Sequence, residues 1–81
     1  QLYPNPFNAS TTISFSIYEY GLTTIIIYDI TGREIEMLTS EFLNQGNYSM
    51  NWNAESYSSG IYFIIMKVGL FRETQKVLLI K

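Results

Sequence analysis

Apolar and polar positions along the chain recur with a period of two. Ile13, Phe15 and Ile17 alternate with Ser14 and Ser16, so one face of an extended segment is apolar and the other hydroxylated. Thr23 to Tyr28 is instead an unbroken β-branched run ending in tyrosine, which suits a strand covered on both faces or tucked under a parent protein. Gly32 supplies a turn, and 34–38 then reads as a short strand with Glu34 and Glu36 on an exposed acidic face. Tyr48, Met50 and Trp52 alternate with Ser49 and Asn51. Residues 53–60, rich in Ser, Asn and Gly, form a loop. In the most apolar strand, 61–68, Tyr62, Ile64, Met66 and Val68 share one face and Ile61, Phe63, Ile65 and Lys67 the other. The lysine directs the first set inward. A turn at 69–71 leads to a last strand over 73–80. No window of helical length is amphipathic; 41–45 holds one helical turn at most.

Six to seven short strands separated by turns predict an all-β fold, a small immunoglobulin-like antiparallel β-sandwich. The chain has no cysteine, so the label describes architecture and not the disulfide-pinned immunoglobulin core. Eighty-one residues hold one core, and the domain is taken as 1–81, a single domain expected to be cut from a longer protein. A domain of this size buries only about 60–65% of its unfolded surface. An aromatic fraction of 16% is one way to gather enough buried area. Pro4 and Pro6 fix φ and restrain Tyr3 and Asn5, so the opening segment is expected to be extended, as an edge strand or a lead-in.

Charge and composition exclude several functions. A net charge of −2 gives no basic field for nucleic acid and little attraction to an anionic membrane. No apolar run approaches the ~18–20 residues that span a bilayer, so no membrane insertion is expected. Without histidine or cysteine, no Ser-His or Cys-His nucleophile and no imidazole or thiolate metal ligand can be built. No cofactor, metal or catalytic residue is expected.

The remaining candidates are weak. Glu34 and Glu36, about 7 Å apart on one strand face, lie in the range of paired glycosidase acids but lack a cleft, and a solvated face is the better reading. Asp29, before Thr31-Gly32, suits turn capping better than calcium binding. Asn8-Ala9-Ser10 and Asn47-Tyr48-Ser49 match a glycosylation sequon that is frequent by chance. Tyr18, Tyr20, Trp52 and Tyr57 can be drawn as a sugar-stacking platform, although the alternation of Trp52 with Tyr48 and Met50 places it in the core. Ile26, Ile61, Phe63 and Ile65 leave an apolar row on what should be the outer face, which suggests a docking surface or a covered sheet.

Taken in order, several short motifs resemble one family. Tyr3-Pro4-Asn5-Pro6-Phe7-Asn8, the alternating strand after it, Ile27-Tyr28-Asp29 with Gly32-Arg33-Glu34-Ile35, Gly46 leading into Tyr48 to Trp52, Ser59-Gly60-Ile61-Tyr62, and Gln75-Lys76-Val77-Leu78-Leu79-Ile80-Lys81 resemble the C-terminal sorting domain (type A) of the bacterial type IX secretion system. The immunoglobulin-like domain of the flagellar hook-capping protein shares several of these features. No single motif is specific; the ordered set is.

The resemblance implies a non-catalytic secretion signal. Its partners would be the outer-membrane type IX translocon, a cell-surface sortase that usually removes the domain, and an upstream cargo domain of the same chain. The protein would pass through the periplasm to the cell surface or the medium. The basic-then-aliphatic terminus, Lys76, Val77, Leu78, Leu79, Ile80 and Lys81, is the candidate recognition strand. Tyr3, Pro4, Asn5, Pro6, Gly32, Arg33, Glu34, Gly60 and Tyr62 are its structural motif residues. The alternative is an accessory β-sandwich module, carbohydrate-binding or spacer, packed on a catalytic domain.

Overall fold

The computed structural model describes residues 10–80. Six antiparallel strands are present among them: β1 Ser10–Ile17, β2 Gly21–Asp29, β3 Glu34–Leu43, β4 Gly46–Asn53, β5 Gly60–Val68 and β6 Phe71–Leu79. They form a two-stranded sheet, β1-β4, and a four-stranded sheet in the order β3-β2-β5-β6. The chain changes sheet between β1 and β2, β3 and β4, and β4 and β5. This is the expected all-β, immunoglobulin-like sandwich.

The core lies between the sheets. Ile13, Ile17 and Trp52 of the small sheet meet Ile25, Ile27, Ile64, Met66, Val77 and Leu79 of the large one. The predicted inward set of β5 holds for Tyr62, Ile64 and Met66, which are buried, while Val68 is half-buried at the strand end. The apolar run of β2 has a simple cause: the strand is central, with β3 on one side and β5 on the other. Its inner residues Thr23, Ile25 and Ile27 are buried, and Ile26 and Tyr28 are half-buried on the outer face.

β3 departs most from the sequence expectation. It continues to Leu43, so 41–43 is strand and not a helical turn. Its pairing with β2 slips twice: Ile25 faces Thr39 but Ile26 faces Met37, and Ile27 faces Glu36 but Tyr28 faces Glu34. Leu38 and Ile35 are therefore the extra residues of two β-bulges, which break the alternation of faces. Ile35 and Leu38 both pack against the core. Glu34 and Glu36 consequently do not share a solvated face. Glu34 is exposed on the outer side, and Glu36 lies half-buried toward the core.

The other boundary shift is at the β5–β6 hairpin. Val68 pairs with Phe71, leaving a two-residue loop of Gly69 and Leu70. Gly69 has φ +59° and Leu70 does not have a positive φ, the pattern of a type II′ turn. β6 thus begins two residues earlier than the composition of the segment suggests.

Candidate functional site

The candidate recognition strand is an edge. Among the described strands β6 pairs with β5 alone, from Val68–Phe71 to Gly60–Leu79, without a register slip. A strand paired on one side leaves alternate backbone N–H and C=O groups facing outward. The opposite edge of the same sheet is β3, which carries the two bulges. Bulges, prolines and shortness are the usual protections of an edge against further pairing. β3 has two bulges; β6 has nine regular residues and no proline, although Arg72, Glu73 and Lys76 charge it.

The terminal residues divide by face. Val77 and Leu79 are buried in the core, at 1% and 0% exposure. Lys76 and Leu78 point to the outer face of the sheet, and Ile80 is exposed just beyond β6. Val77 and Leu79 are therefore structural residues first, and the candidate residues whose side chains project into solvent include Lys76 and Ile80. Lys81, with Tyr3, Pro4, Asn5 and Pro6 at the other end of the chain, lies outside the described residues.

The described motif residues, Gly32, Arg33, Glu34, Gly60 and Tyr62, gather at one pole, where β1 begins and β6 ends. There the β2–β3 turn is closed by Asp29, as its position before Thr31-Gly32 predicts. One oxygen, Oδ1, accepts from the Thr31 amide at 3.0 Å, the Thr31 hydroxyl at 2.6 Å and the Arg33 amide at 3.0 Å. Oδ2 meets the Arg33 Nε at 3.3 Å. The Gly32 amide donates to the Asp29 carbonyl at 3.0 Å, and Gly32 takes φ +89°, where a β-carbon is strained. The Thr31 hydroxyl, then the Arg33 amide, hold the Asp29 carboxyl below the usual carboxylate range. Glu34 follows this turn on the outer face, opposite Tyr28.

Gly60 opens β5 opposite Leu79, and Tyr62 follows opposite Val77. Tyr62 is buried; its hydroxyl donates to the Ser58 carbonyl at 2.6 Å. Its ring stands edge-on to Trp52 at 5.6 Å, and Tyr57 completes the cluster, 5.8 Å from Trp52 and 6.2 Å from Tyr62. The 53–60 loop is held by the Asn53 side chain, which accepts from the Glu55 amide, and by a Tyr57 amide bond to the Ala54 carbonyl.

Sequence reasoning missed the anchor of this cluster. Glu36 Oε1 accepts from the Trp52 indole at 3.2 Å and from the Tyr57 hydroxyl at 2.8 Å. Burial, then this carboxylate, push the Tyr57 hydroxyl pKa above its ordinary value. A usable signal was present: a core tryptophan needs an acceptor for its N–H. Which acceptor depends on a bulge that no local pattern announces.

A four-ring sugar platform is not assembled. Trp52 is fully buried and Tyr57 packs on it, while Tyr18 and Tyr20 lie at the opposite pole. There Tyr18 meets Phe71 edge-on at 5.8 Å and Tyr20 stacks with Phe42 at 5.7 Å. Among the described residues no cluster of three or more Asp, Glu, His or Cys side chains is positioned to hold a metal ion. No helix among them is long and apolar enough to cross a membrane.

The regular edge strand β6 sits on a small sandwich whose described motif residues serve turns and core contacts. The chain belongs to the secretion system C-terminal sorting domain family, whose model matches residues 1–81. Membership indicates a type IX secretion C-terminal sorting signal and implies export to the cell surface or release. No curated protein matches the chain.

Proposed function

We propose that the outer-membrane type IX translocon recognises this domain by adding a strand to β6, and that a cell-surface sortase then separates the domain from its upstream cargo. The single observation that carries the first step is the asymmetry of the two sheet edges: β3 is broken by two bulges and β6 is regular along its whole length. Backbone pairing supplies affinity in such recognition, and side chains supply selectivity. Arg72, Glu73, Lys76 and Ile80 are all exposed along or just beyond that edge; of the candidate recognition residues, Lys76 brings a cation and Ile80 an aliphatic group. Lys76 adds charge complementarity and speeds encounter with an acidic receptor. The domain itself is non-catalytic in this reading.

The test is export of a reporter. Residues 1–81 are fused to a fluorescent protein that bears a signal peptide, in a bacterium with a working type IX system and in its translocon mutant. The expected result is reporter at the surface or in the medium only in the working strain. Retention in the periplasm of both strains, with the domain folded, overturns the proposal.

A further inference from the structure

We infer that the outer face of the four-stranded sheet is a binding surface for an acidic polypeptide segment that seats an apolar side chain over Phe63 and Ile65. This inference concerns the face of the sheet and not its edge, and it stands independently of export. The register puts four residues in line across the sheet in each row. One row is Met37, Ile26, Ile65 and Thr74; the next is Glu34, Tyr28, Phe63 and Lys76; a third is Ser40, Thr24, Lys67 and Arg72. The apolar centre is thus Ile26, Tyr28, Phe63 and Ile65, and no described element is layered over it. A hollow of about 380 Å³ lies here, floored by Tyr28, Phe63 and Ile65 and bounded by Gly32, Arg72 and Thr74.

The charge around the hollow identifies the occupant. Lys67, Arg72 and Lys76 all project from β5 and β6 onto this face, in a chain whose net charge is −2. Lys67 and Arg72 are direct cross-strand neighbours. Like charges placed directly opposite destabilise a sheet. Their neighbours across the row, Thr24 and Ser40, carry no charge, and the ion pair found among the described residues is Asp29–Arg33. The carboxylate on the face, Glu34, stands in the row of Tyr28 and Phe63 on the far edge strand, two rows from the Lys67–Arg72 pair. An incoming carboxylate would relieve the Lys67–Arg72 repulsion while an adjacent apolar side chain covers Phe63 and Ile65. A second copy of the chain fits poorly, because it would bring the same cations together.

Amide-resolved NMR of the isotopically labelled 81-residue chain tests this directly. The probe is the peptide Asp-Glu-Phe-Leu-Glu, and the control is Lys-Lys-Phe-Leu-Lys. Saturable shifts at Ile26, Phe63, Ile65, Arg72 and Thr74 are expected with the acidic peptide. Affinity should fall about three- to tenfold in a Lys67→Glu/Arg72→Glu variant, the range for losing two exposed ion pairs. Added salt should weaken binding in the same direction. Ile65→Ser, which keeps both cations, should also weaken it. Unchanged amide shifts at Val77 and Leu79 establish that each variant is folded; Arg72→Gln replaces the double variant if it is not. An equal response to the basic peptide, shifts confined to other surfaces, or changes that follow protein concentration without peptide would each overturn the inference, the last by assigning the face to a second copy.

Discussion

One oxygen of Glu36 holds two aromatic residues in register, accepting from Trp52 at 3.2 Å and Tyr57 at 2.8 Å. Hydrogen bonds to a charged acceptor are stronger than neutral ones, and withdrawing it costs about 1–3 kcal/mol. Glu36→Ala should lower the unfolding free energy from urea denaturation by that amount, and Glu36→Gln, which keeps a carbonyl acceptor, should lose less. Equal losses in the two variants would mean that packing, and not acceptance, is what Glu36 provides. The same cluster sets an alkaline limit. The Tyr57 pKa is raised in the folded chain above its ordinary value of 10.0. Its contribution is complete below about pH 10 and is lost as pH rises through the folded value. Tyr57→Phe should flatten stability at alkaline pH relative to the parent chain. Asp29 acts in the opposite sense. Its folded pKa is lowered from 3.8, mainly by the Thr31 hydroxyl. Its contribution is complete above that value and fades as pH falls through the folded one. Asp29→Asn should flatten the acid limb in a pH series of thermal melts.

At the scale of the element, the open and the paired sides of β6 predict different tolerance to proline. In a two-residue hairpin the pair flanking the loop, Val68–Phe71, exchanges hydrogen bonds, and the bonding then alternates along the strands. Gln75 therefore bonds to β5, and the Thr74 amide faces the open edge. Thr74→Pro should leave the denaturation midpoint nearly unchanged and abolish strand addition, so the reporter stays periplasmic. Gln75→Pro should cost about 1–3 kcal/mol for the lost ladder bond. Export that survives Thr74→Pro would sink recognition through this edge. Most of this architecture was legible in the sequence because side-chain period is a local property: β1, β4 and β5 each announce their faces by alternation. The turn chemistry of Asp29 was legible for the same reason. β3 was not, because its bulges at Ile35 and Leu38 are set by pairing with β2 and invert the faces of the residues between them, Glu36 and Met37. That inversion hid Glu36. The apolar outer face of β2 and β5 was visible in Ile26, Ile61, Phe63 and Ile65, but the cations bordering it emerged only when pairing set Lys67 opposite Arg72.

Across the whole molecule, the residues proposed for recognition and those buried in the core share one strand. β6 presents Lys76 and Leu78 outward and drives Val77 and Leu79 into the core. A domain of this length has a stability of about 4–12 kcal/mol. Leu79→Ala alone should remove about 2–5 kcal/mol, since a fully buried leucine leaves a cavity that the sheet cannot close. Deleting residues 76–81 removes both buried side chains together with the end of the β5–β6 ladder, so the shortened chain should lose its cooperative unfolding transition and its near-ultraviolet circular dichroism from Trp52. Export lost on that deletion would report unfolding and say nothing of recognition. Lys76→Ala and Ile80→Ser touch only exposed side chains, and their stability should lie within about 0.5 kcal/mol of the parent. If strand 71–79 is read by a partner, these two variants reduce export while melting normally. A truncated chain that still unfolds cooperatively would contradict the placement of Val77 and Leu79 at the centre of the core.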